Sequence, residues 1–161
     1  MCFGIERDIL PHKAELPSKR QNWGVAPSTI RSNVLGSPLD GILVLDFSTL
    51  LPGPMAGLVL AEAGAEVIKI ERPGAGEDMR HYQPRWGESS ASFNLLNRGK
   101  KSLALNLKDE RDKAKLQPLA DNADVIIEQF RPGVMARLGL DYGTVKATNP
   151  GIVYCSITGY G

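Results

Sequence analysis

With 161 residues and a formal net charge of +1, the chain has room for one domain-sized core and shows no electrostatic footprint for nucleic acid or a membrane surface. Its 42% apolar and 23% charged residues exclude an intrinsically disordered chain, and no apolar run reaches the roughly 18 residues that a membrane span requires. Cys2 and Cys155 stand far apart without C-x-x-C spacing, which excludes a disulfide framework or a cysteine metal site.

Residues 1–38 hold scattered prolines and polar residues with no sustained apolar period, and are expected to be a disordered N-terminal extension. The opening MCFGIERDIL meets charge at Glu6, Arg7 and Asp8, unlike a secretory signal. A cytoplasmic location is expected, with a mitochondrial or peroxisomal one open in a eukaryote.

From Asp40 the texture changes. Ile42, Leu43, Val44 and Leu45 form the continuous aliphatic run of a strand buried on both faces. A Pro52-Gly53-Pro54 turn follows, then an apolar helix over 55–63 in which Gly57 and Ala61 present a small face to a sheet. Gly64 ends it, and EVIKIE (66–71) is a second strand, completing a βαβ unit. Residues 72–88 are a loop well beyond the usual ~4–6 residues, the kind that often carries function. A short helix over 89–97, a strand over 101–107 and a helix over 109–123 come next, with Pro118 expected to kink or divide the last. A strand at 124–128, short helices at 134–138 and 142–147 and a strand at 152–157 complete an alternating α/β pattern.

The chemistry-bearing residues are few. The first strand, turn and helix invite comparison with a dinucleotide-binding fingerprint, because Glu71 ends the next strand. Gly53 and Gly57 do not make G-x-G-x-x-G, however, and Pro52 and Pro54 remove backbone donors from the turn. His81 has no acid placed beside it by sequence. Cys155, within a strand, is expected to be a buried thiol. Ser156 lacks a nucleophile elbow. Asp46, Glu71 and Glu128 end strands and are expected to cap turns, and Lys100 and Lys101 are expected to lie in a solvated turn.

Four blocks in order resemble a known family: LDGILVLDFSTLLPGPMAGLVLAEAGAEVIKIERPGAGEDMR, NRGKKSLALNLKD, ADVIIEQFRPGVMARLGL and NPGIVYCSITGYG. They cover residues 39–161 and are similar to the N-terminal portion of the family III CoA-transferases, a family that includes formyl-CoA, succinate and carnitine CoA-transferases and α-methylacyl-CoA racemase. The resemblance implies an α/β, Rossmann-like large-domain portion, incomplete in this chain, from an enzyme whose two subunits interlock as a homodimer. It implies coenzyme A or acyl-CoA and a carboxylic acid as substrates, no metal, and no nucleic-acid or membrane partner.

By the same resemblance, Arg72 in ERPG and Arg137 in VMARLGL meet the phosphates of CoA. Leu105, Asn106 and Lys108 in LALNLK lie on its adenine side, and Gln129 in EQFRPG stands at the C-terminal end of a strand. Leu51 and Pro52 match a CoA-contacting turn whose side chains vary. In the transferases an aspartate attacks the thioester, giving a mixed anhydride and then an aspartyl-CoA thioester; in the racemases a His and an acid exchange the α proton. No residue of these 161 matches either set of catalytic positions. CoA transfer is the reading adopted, with a racemase-like isomerase or an inactive CoA-binding fragment as alternatives.

Overall fold

The computed structural model describes residues 36–159. The extension expected over 1–38 thus lies outside the described residues as far as residue 35.

The aliphatic run becomes β1 (Leu43–Asp46), and prolines that cannot donate within a helix open α1 (Pro52–Glu62). Gly64 stops α1 at a positive φ of 103°, which glycine adopts without strain, and β2 (Glu66–Glu71) follows. The long loop holds a 3₁₀ turn (Asp78–His81) and one arm of a small antiparallel hairpin, β3 (Arg85–Trp86) and β4 (Ser89–Ser90). Ser90 caps α2 (Ala91–Leu96), its hydroxyl accepting from Phe93 N. The order then runs β5 (Lys101–Ala104), α3 (Glu110–Asn122), β6 (Val125–Glu128), α4 (Val134–Leu138), α5 (Tyr142–Thr148) and β7 (Val153–Ser156).

The five-stranded sheet is parallel throughout, with spatial order β5-β2-β1-β6-β7. The chain builds outward from β1 to β2 and β5, then crosses back over α3 to lay β6 and β7 on the other side. Renumbered, that is the 3-2-1-4-5 order of a doubly wound sheet, and its switch point is the gap between β1 and β6.

Successive strand side chains point to opposite faces. Leu45, Ile68, Ile70 and Ile126 meet Leu116 and Ala120 of α3, Met135 of α4 and Val145 of α5. Val44, Val67 and Ile127 meet Ala56, Leu60 and Ala61 of α1. A smaller group, Met79, Phe93 and Leu96, packs the 3₁₀ turn on α2.

Two expectations are corrected. Pro118 does not divide α3, which is helical from Glu110 to Asn122. Leu116 and Ala120, on either side of the proline, are both buried against the sheet, and that burial offsets one missing backbone hydrogen bond. Cys155 is exposed. On β7, an outer strand of the sheet, Tyr154 packs towards the α3 face. Cys155 and the 61%-exposed Val153 take the opposite face, which no helix among the described residues covers at this strand.

Candidate functional site

The C-terminal ends of the parallel strands line one edge of the sheet, where open α/β folds receive ligands. At the switch point, residues 47–53 turn from β1 into α1. Gly53 N donates to Gln129 Oε1 across 3.2 Å, so the turn is tied to the end of β6. A Cβ on Gly53 would overlap the Ser48 side chain and lie 2.9 Å from Gln129 Oε1, so only glycine permits this approach. Pro52, Gln129, Phe130, Pro132, Ile157 and Thr158 line an open cleft of ≈ 310 Å³ beside it. A second cleft of ≈ 520 Å³, flanked by Phe130, Met135, Tyr142 and Tyr154, continues towards α4 and α5. Burial, with Glu128 and Asp141 near, raises the Tyr154 phenol above its ordinary range, and its hydroxyl donates to Leu140 O.

The residues singled out from sequence fall in two groups on either side of this turn. On neighbouring strands β2 and β5, Arg72 follows Glu71, and Leu105 N donates to Glu71 O at 2.8 Å, which brings Arg72 beside Leu105, Asn106 and Lys108. Gln129 and Arg137 stand beyond β1. Three strand spacings separate β5 from β6, roughly 14 Å, so a ligand touching both groups must be long and lie along the edge.

Their side chains differ in availability. Arg72, 59% exposed, is engaged: its Nε donates to Gly76 O at 2.8 Å and its guanidinium pairs with Asp78. Lys108 and Arg137 are exposed, with no hydrogen bond or ion pair from the side chain among the described residues. Asn106 Oδ1 accepts from Lys108 N at 3.1 Å, which shapes the turn after β5. The Leu105 side chain is buried in the core, so any ligand contact there runs through its backbone. His81 Nε2 faces the Ala75 carbonyl at 3.1 Å.

Beneath α1 lies a buried charge network that sequence reasoning missed. Lys100, expected in a solvated turn, is 3% exposed. Its Nζ reaches Asp46 Oδ2 and Pro54 O, each at 2.8 Å, and Asn97 Oδ1 at 3.0 Å. Burial pushes its ammonium below the ordinary lysine range, countered in part by Asp46. Gly57 is explained by the same pair, since a Cβ there would lie 2.8 Å from Asp46 Oδ2 and 2.9 Å from Lys100 Nζ.

Lys69, 1% exposed, donates to Ser48 O at 2.8 Å and lies 2.6 Å from Glu77 Oε2. Glu71 is held by Arg80, Ser102 and the Glu77 amide. Burial alone would raise its pKa, but these hydrogen bonds outweigh it and keep the carboxyl below its usual range. Asp46 and Glu128 do shape turns, accepting from Ser48 N and Phe130 N, yet Asp46 is also half of a buried ion pair. A signal was present: a lysine inside EVIKIE, a strand buried on both faces, requires a buried anion.

Among the described residues no helix is long and apolar enough to cross a membrane. Comparison with known proteins places these features in a wider set. The family model described as CoA-transferase family III matches residues 39–161. Acetyl-CoA:oxalate CoA-transferase of Acetobacter aceti is 48% identical over 124 residues, which are 77% of this chain and 32% of that protein. Succinyl-CoA:glutarate CoA-transferase of Homo sapiens is 42% identical over 140 residues, 86% of this chain and 32% of the relative. Among solved structures, a CAIB/BAIF family protein from Brucella suis superposes with a TM-score of 0.74 at 40% identity, covering 79% of this chain and 35% of the other. The chain spans about a third of the length of the curated relatives it matches.

Proposed function

This chain belongs to CoA-transferase family III, and from that membership we propose that it supplies the CoA-binding part of an enzyme that moves CoA between an acyl-CoA and a carboxylic acid. The observation that carries the reading is the extended edge: two polar groups roughly 14 Å apart, joined by a glycine-dependent turn at the switch point. CoA is long, anionic at its nucleotide end and otherwise only weakly polar. Its 3′-phosphate and pyrophosphate suit separated cations, and its weakly polar pantetheine suits the exposed Leu51 and Pro52.

In this reading Arg72 and Arg137 meet phosphates, and Arg72 exchanges Asp78 for the ligand. Lys108 and the backbone around Leu105 and Asn106 receive the adenine side, and Gln129 fixes the turn against which the pantetheine lies. The acyl group passes through an aspartyl anhydride. The carboxylate attacks the thioester and expels CoA thiolate, which then attacks the anhydride, releasing the donor acid and leaving an aspartyl thioester. The acceptor carboxylate takes the acyl position in the reverse sequence. We assign the nucleophile to none of these 161 residues, and in the whole enzyme we place the chain in an interlocked homodimer.

Titration calorimetry of the chain with CoA and with dephospho-CoA tests the phosphate contacts. CoA is expected to bind about tenfold more tightly, as one lost charge-assisted contact predicts; equal affinity removes the arginine assignment. The chain alone is expected to show no transfer from succinyl-CoA to a carboxylate, and turnover above the blank would put the nucleophile within it.

A further inference from the structure

The 47–53 turn is held at two points, one from the 72–88 loop and one from β2. Leu50 has φ 63°, and it is the one non-glycine residue with a positive φ among the described residues. Left-handed backbone is unfavourable for a leucine, so the turn needs an external hold. Glu77 supplies one, its Oε1 accepting from Leu50 N at 2.6 Å. Lys69 supplies the other, donating to Ser48 O at 2.8 Å.

The two holding side chains also restrain each other. Glu77 Oε2 lies 2.6 Å from Lys69 Nζ, off the direction of a hydrogen bond, and both residues are buried. The Glu77 amide donates to Glu71 Oε2 at 2.9 Å, and one residue earlier Gly76 O accepts from Arg72 Nε. A single short stretch of loop thus grips the switch-point turn on one side and Arg72 on the other. An apolar pair of similar volume would fill the same space at little cost in stability, so the charges are explained by the backbone groups they fix.

We propose that Lys69 and Glu77 are positioning residues that hold the 47–53 turn, through Ser48 O and Leu50 N, in the shape that receives CoA. The inference rests on the reading of this edge as the CoA site. The residues touch no ligand themselves; they act through Leu50, Leu51 and Pro52.

The test joins hydrogen exchange to calorimetry. In the unsubstituted chain the Leu50 amide is expected to exchange at least about tenfold more slowly than that of Thr49, although both residues are exposed. No such protection overturns the proposal, whatever the variants do. The double variant K69M/E77M leaves no unpaired buried charge. It is expected to lose the Leu50 protection and to bind CoA about tenfold more weakly while its urea midpoint stays close to that of the parent.

Adding Leu50→Gly to K69M/E77M removes the cost of the left-handed residue and is expected to restore most of the affinity. A merely structural pair would show no such rescue. K69M/E77Q, which keeps an acceptor for Leu50 N without stranding an ammonium, is expected to keep the Leu50 protection and to bind CoA more tightly than K69M/E77M; equal loss in the two overturns the role of Glu77. Unchanged CoA affinity in K69M/E77M overturns the proposal. No binding by the unsubstituted chain overturns the CoA reading instead, and the exchange measurements judge the hold on the turn separately.

Discussion

On the face covered by α3, α4 and α5, the sheet is closed by aliphatic side chains such as Leu45, Ile68, Ile126 and Leu116, whereas under α1 it also buries Asp46, Lys69, Glu77 and Lys100. Both faces exclude water, but by different means. An apolar face tolerates small shifts, because dispersion and the hydrophobic effect have little direction. A buried ion pair tolerates few, because each charge must keep its partners. The charged members lie where β1 and β2 approach the switch-point turn, so directional contacts appear where backbone shape matters for a ligand.

Single substitutions should separate the two faces, beginning with the largest effect. Lys100→Met leaves Asp46 as a buried, unpaired carboxylate and is expected to cost about 4 kcal/mol in urea unfolding. Adding Asp46→Asn should recover most of that loss; additive losses would mean that the pair is not coupled. On the apolar face, Leu116→Ala is expected to cost about 3 kcal/mol through a cavity, with no rescue by a neighbour.

Acid acts on both faces, since hydrogen bonds also hold Asp109, Asp112 and Asp141 of the α3 and α5 region below their usual range, so a variant is needed to isolate the contribution of Glu71. Glu71 has its folded pKa below the ordinary 4.5, so it contributes stability that is present above the unfolded value and is lost as pH falls from about 4.5 through the folded pKa. Unfolding midpoints measured from pH 6 down to about pH 3 should show this fall, and Ser102→Ala, with one hydrogen bond fewer, should show a shallower one. The smallest effect is at the surface. Asp78→Asn frees Arg72 from an exposed pair worth at most about 1 kcal/mol, so CoA should bind up to about fivefold more tightly with stability nearly unchanged.

Much of the fold was legible because the sequence is locally consistent. The aliphatic run at 42–45, the stop at Gly64 and the apolar run within 124–128 each point to one element. The 3-2-1-4-5 order was not legible, since strand neighbours depend on contacts distant in sequence. Pro118 misled because propensity is local and the burial of Leu116 and Ala120 is not. The site was legible in part. Arg72, Lys108 and Gln129 follow the C-terminal ends of β2, β5 and β6, as their strand patterns imply, but nothing in the local pattern of ERPG shows that Arg72 pairs with Asp78. The ion pairs were missed because their partners are far apart: Lys100 and Asp46 are 54 residues from each other, and a lysine in NRGKK reads as solvated until the turn is seen packed under α1.

The most direct measurement is an amide chemical-shift titration of the chain with CoA. The expected result is that the perturbed amides cluster at residues 47–53, at Arg72, at 105–108, at Gln129 and around Arg137, the two groups and the turn between them, with the N-terminal ends of the strands unmoved. Perturbations centred on the opposite edge of the sheet, or confined to one of the two groups, would contradict an extended CoA lying across the switch point.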